Sequence, residues 1–153
     1  MKYRYQCSIA LVFLWIGFVS AISFMEAWLK FQAPGISTEL GLGIGQLVFK
    51  ALNRVEIGLG ILLGTVLGFY KNRGQRKSTL LFLWVPLLLL GLQTFWLLPE
   101  LDVRASMRIQ GEMVPNNRLH LWYVLMEVAK LGSLLIFGIA LLRKMGLRHP
   151  KNK

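Results

Sequence analysis

The chain has 153 residues, of which 55% are hydrophobic and only 16% charged, with a formal net charge of +11 and a mean hydropathy of +0.53. That balance excludes an ordinary soluble domain and fits a small integral membrane protein. The one cysteine, Cys7, excludes an internal disulfide and paired-thiol redox chemistry.

A bilayer's hydrocarbon is about 30 Å thick, and a helix crosses it with about 20 apolar residues. Four tracts meet that requirement, roughly 7–29, 44–70, 79–98 and 119–142. They nearly exhaust the chain. The expectation is therefore one all-α domain over residues 1–153, an integral membrane four-helix bundle.

In the first tract, Val19-Ser20-Ala21 resembles a signal-peptide cleavage site, but the apolar run continues to Leu29, so an uncleaved span is expected. Ala33-Pro34-Gly35 then breaks the chain. The second tract is the weakest, because its first dozen residues are amphipathic. Within it Glu56, Gly60, Gly64 and Gly68 recur every four residues along one face. Small residues at that spacing admit a neighbouring helix, although glycine is also simply common in membrane helices. Asn72-Arg73-Gly74 predicts a tight turn, and Pro86 predicts a kink in the third span. Pro99-Glu100 at one end and Gly111 with Pro115 at the other predict a short interfacial helix over 99–110. Trp28, Trp96, Trp122 and Tyr123 fall where an aromatic belt would lie.

Positive charge alternates between connections. Lys2 and Arg4 precede the first span, Lys71, Arg73, Arg76 and Lys77 fill the second loop, and Arg143, Lys144, Arg148, Lys151 and Lys153 follow the fourth span. In the first and third loops Glu39, Glu100, Asp102 and Glu112 offset Lys30, Arg104, Arg108 and Arg118. This is the orientation signal of membrane insertion and places both termini in the cytoplasm. It accounts for the basic residues better than nucleic-acid binding does, so the bilayer, and no nucleic acid, is the expected partner.

The intramembrane polar residues are unevenly distributed. At about 1.5 Å per residue, Glu26, Asn53, Arg54, Glu56, Gln93, Thr94, His120, Tyr123, Glu127 and Lys130 all fall in the outer half of the membrane. The inner half carries no charge, with Ser20, Thr65 and Ser133 its modestly polar members. His120, Tyr123, Glu127 and Lys130 follow the spacing i, i+3, i+7, i+10 and form one helical stripe, in which Glu127 and Lys130 can pair. Ser23, Glu26 and Lys30 share a face of the first span. Asn53 and Glu56 lie on the glycine face, whereas Arg54 points about 200° away from Glu56. An ionised group in hydrocarbon costs at least ~2.5 kcal/mol. The charges are tolerable as an interhelical cluster open to the outer side.

Two readings of that cluster stay open. Buried ion pairs can serve only to fix helix register. Alternatively, the polar groups line a ligand pocket that opens outward. Ion-coupled transport would need a relay through the apolar half, and none is visible. Haem needs facing histidines, and only His120 lies within a span; zinc lacks a ligand set. Met25, Met107, Met113 and Met126 gather near His120 without forming a soft-metal motif. No cofactor, metal site or catalytic group is expected.

Three stretches, KFQAPGI, FKALNRVEIGLG and LLPELDVRASMRIQGEMVPNNRLHLWYVLMEVAK, carry a resemblance. They resemble small four-span bacterial membrane proteins, distantly similar to the copper-resistance D-type integral membrane proteins. The resemblance implies an inner-membrane four-helix bundle with Asn53, Arg54, Glu56, His120, Tyr123, Glu127 and Lys130 as the candidate site. It brings no metal role, since histidine- and methionine-rich segments are lacking. The expectation is a non-enzymatic binding or accessory protein whose site also includes Glu26 and Gln93. A small polar ligand, a lipid headgroup, a second copy or a partner membrane protein would engage it. The alternative is a small transporter or an ion- or metal-handling protein.

Overall fold

A computed structural model describes residues 2–68, 77–115 and 118–146. The Asn72-Arg73-Gly74 turn and the basic tail from residue 147 lie outside the described residues. Those described are all helical apart from short connections, with no strand among them.

Four helices account for the described residues. Helix α1 starts as Lys2–Val19, widens into a π-helix over Ser20–Glu26, and finishes with the turns Ala27–Leu29 and Lys30–Gln32. Helix α2 spans Thr38–Gly68. Helix α3 begins as Lys77–Leu92, passes Pro86 without ending, widens to a π-helix over Gln93–Leu97, and continues as an arm, Leu98–Ile109. Helix α4 spans Leu119–Gly146.

Local chemistry explains the boundaries. Ile36 N–H donates to Ala33 O (3.2 Å) across Pro34-Gly35, and Gly35 has φ +81°, as a type II turn requires at that position. Ser37 then caps α2, its Oγ accepting from Leu40 N at 3.2 Å. A hydrogen bond from Ser37 also holds the Glu39 carboxyl below its ordinary range. At the end of α3, Gly111 (φ +82°) donates to Arg108 O and Glu112 N–H to Met107 O, which is a Schellman close. The amphipathic helix expected at 99–110 is therefore the last arm of α3 rather than a separate element.

Among the described residues, three stretches are long and apolar enough to cross a membrane: Tyr5–Gln32, Phe82–Ile109 and Leu119–Met145. Helix α2, the expected second span, is not among them. Gln46, Lys50, Asn53, Arg54 and Glu56 occupy the middle of its length, and residues 69 and 70 of the expected tract lie outside the described residues.

Helix α1 packs against α2 and α4, the first part of α3 packs against α4, and the α3 arm packs against α2. The apolar core joins Val12, Trp15, Leu59, Leu63, Leu90, Leu134 and Phe137. A Cβ at Gly60 would come within 3.2 Å of Leu87 and 3.5 Å of Trp15, so α2 makes its close approach there. Gly64 and Gly68 are exposed and have nothing within 4 Å. Among the described residues, the expected glycine stripe thus makes its close packing at Gly60; beyond it, α2 meets the Lys77–Leu92 segment sparsely. Another close contact, not expected from spacing, sets Gly138 of α4 against Val12 and Phe13.

Candidate functional site

The α4 stripe becomes more buried along its length. His120 is exposed, Tyr123 is buried, and Glu127 and Lys130 have no solvent exposure. Lys130 Nζ donates to Glu127 Oε1 at 2.9 Å and to Glu56 Oε1 of α2 at 2.7 Å. Glu56 Oε1 also accepts from Trp15 Nε1 at 2.8 Å. Glu127 accepts from Gln93 Nε2 at 2.6 Å and from Ser23 Oγ at 3.2 Å. All four helices therefore contribute to one buried network: Trp15 and Ser23 from α1, Glu56 from α2, Gln93 from α3, and Glu127 with Lys130 from α4.

Both π-helical segments sit at this network. Ser23 lies in the first and Gln93 in the second, and each donates to Glu127. A π-turn carries an extra residue and redirects the side chains around it, and such turns concentrate at functional sites. Here the two widened turns bring donors on α1 and α3 to the same carboxylate.

The network is closed, whereas the sequence predicts a cluster open to the outer side. A separate cavity of about 900 Å³ lies beyond it, between the end of α1, the start of α2, the α3 arm and the start of α4. Asn53, Arg54, His120 and Tyr123 line this cavity, whereas Glu56, Gln93, Glu127 and Lys130 do not. The nine candidate residues thus fall into two groups, apart from Glu26. Glu26 belongs to neither: it pairs with Lys30 at 3.1 Å, and Lys30 is what reaches the cavity. Ser23 joins the two groups, since it lines the cavity and donates to Glu127, and Tyr123 lines the cavity while almost fully buried. Tyr123 is accordingly a core residue, not a member of the aromatic belt. Trp28, Trp96 and Trp122 remain about half exposed.

One cavity wall is aromatic. Phe49 meets Tyr123 edge-on at 5.3 Å, and the Lys30 ammonium sits 5.4 Å from the centroid of Phe49 and 5.5 Å from that of Phe31. The α3 arm forms the other side. Gln46 Nε2 donates to Asp102 O at 2.8 Å and to Ser106 Oγ at 3.0 Å, and Lys50 pairs with Asp102 at 2.9 Å. Asn53 donates to Thr94 Oγ1 at 2.9 Å. These bonds fix α3 against α2 and hold the cavity's shape.

The lining is basic. Lys30, Lys50, Arg54, Arg104 and Arg108 contribute cations, against Asp102 as the carboxylate. Three comparisons add nothing to this picture: no protein-family model, curated protein or solved structure matches the chain. Among the described residues no group of three or more histidine, cysteine, aspartate or glutamate side chains could hold a metal ion.

The sequence pattern does not single out Trp15, Arg104 or Arg108 as members of either group. Trp15 could have been noticed as a tryptophan far from either end of an apolar span, where its N–H needs a partner. The arginines of the arm gave less signal, because they read as ordinary interfacial charges.

Proposed function

We propose that the chain is a non-enzymatic binding or accessory protein of the cell's inner membrane. Its four helices would form a membrane-embedded bundle with both termini in the cytoplasm and the cavity on the opposite side. The observation that carries this reading is the cavity itself. At about 900 Å³ it lies near the upper end of the range for small-molecule sites, about 300–1,000 Å³. It combines apolar walls with a few fixed polar groups, as such sites do.

The buried network supports binding over passage. Glu56, Glu127 and Lys130 are sealed beneath Tyr123 and Ser23, so the cavity has a floor rather than a continuing channel. The network's task in this reading is to fix how four helices meet and so preserve the cavity above.

Ala105→Trp tests the proposal. Ala105 lines the cavity from the α3 arm, so an indole there projects into the space between the arm and α2 and obstructs it without changing a charge. Native mass spectrometry of protein released from lipid nanodiscs should show a bound small molecule or lipid on the wild type and none on Ala105→Trp. An identical adduct on both proteins would place binding outside the cavity and defeat the proposal.

A further inference from the structure

We infer that the cavity accepts the anionic phosphate headgroup of a membrane lipid, an inference that rests on the binding role proposed above. The argument begins with the balance of charge. Of the five cations in the lining, Lys30 is matched by Glu26 and Lys50 by Asp102. Arg54, Arg104 and Arg108 have no carboxylate within ion-pair distance among the described residues. Arg104 donates to the Pro115 carbonyl at 3.1 Å, which orients its guanidinium but leaves its charge uncompensated. Three arginines from α2 and the α3 arm therefore face one cavity with about three unmatched positive charges.

Arginine's planar fork matches phosphate oxygens two at a time, which a lysine cannot do. Basic pockets between membrane helices bind lipid headgroups by this chemistry. Size then separates a lipid from a free anion. Inorganic phosphate would leave most of a 900 Å³ space empty, whereas a headgroup with the start of its acyl chains would use it. The walls agree, for Phe24, Trp28, Phe31, Leu42, Leu98 and Val114 supply an apolar surface beside the arginines. The cavity lies where α1 ends its apolar stretch, so an acyl chain would leave it toward the bilayer.

Full-length protein in nanodiscs of mixed phosphatidylglycerol and phosphatidylcholine provides the test. Wild type should carry phosphatidylglycerol into the gas phase preferentially. Arg54→Gln and Arg108→Gln should each reduce its retention about tenfold, the scale of one charge-assisted hydrogen-bonding partner. Both side chains are exposed, so neither change threatens the fold. Equal retention by wild type and both variants would overturn the headgroup assignment. If Ala105→Trp still abolished the adduct in that case, the cavity would remain a binding site for some other ligand. Inorganic phosphate supplies the last arm: tight binding of phosphate alone, displacing the lipid, would overturn the lipid source in favour of the free anion.

Discussion

Lys130 stands between two carboxylates, 2.7 Å from Glu56 and 2.9 Å from Glu127, and all three side chains are buried. Two acids and one base make substitution asymmetric. Lys130→Gln leaves two carboxylates together with no cation, and breaking a buried pair in this way costs about 3–5 kcal/mol. Glu56→Gln leaves Lys130 and Glu127 as a matched pair, and the new amide oxygen can still accept from Trp15. Thermal unfolding in detergent should therefore rank Lys130→Gln well below Glu56→Gln, with the latter close to wild type. Equal stability for Lys130→Gln and wild type would remove the ion pairs from any role in holding the helices. The pairing of Glu127 with Lys130 was legible in the sequence because both lie on one helix, three residues apart. Their joint contact with Glu56 and Trp15 was not, since no local spacing relates positions on three different helices. The split of the candidate residues into a sealed network and a cavity was equally hidden. Depth along a helix can be counted from sequence, but which polar groups a neighbouring helix covers depends on side-chain packing.

At the scale of elements, the four helical tracts and the amphipathic stretch after the third were legible, because apolar runs and turn residues mark them. The two π-helical segments were not. Nothing in SAISFME or QTFWL announces a widened turn, which arises when tertiary partners pull a backbone out of its local preference. The glycines of α2 misled for a related reason: regular spacing at 60, 64 and 68 describes a face, but only tertiary contact decides where a neighbour uses it. A matched pair of variants tests this. Gly60→Leu must displace Leu87 and Trp15 and should lower stability by about 1–3 kcal/mol. Gly64→Leu enters open space and should change stability by no more than about 0.5 kcal/mol. The same unfolding assay reads both. Equal losses would mean that α2 has a second neighbour at Gly64, such as another copy of the chain.

For the whole molecule, orientation decides which leaflet the cavity serves. The first and third connections, at the cavity end, carry acidic residues beside their basic ones: Glu39, Glu100, Asp102 and Glu112 against Lys30, Arg104, Arg108 and Arg118. The second loop holds Lys71, Arg73, Arg76 and Lys77 with no acidic residue. Insertion retains such unbalanced basic loops in the cytoplasm, so the cavity end should face out. Cysteine labelling tests this in a Cys7→Ser background, which removes the chain's own thiol. Ser37→Cys and Glu112→Cys, in the first and third loops, should react with a membrane-impermeant thiol reagent added to intact cells. Gly74→Cys in the second loop should react only after permeabilisation. The reverse pattern would turn the cavity toward the cytoplasm, where anionic lipid is concentrated. Arg54, Arg104 and Arg108 would then draw on a different pool of headgroups through the same chemistry.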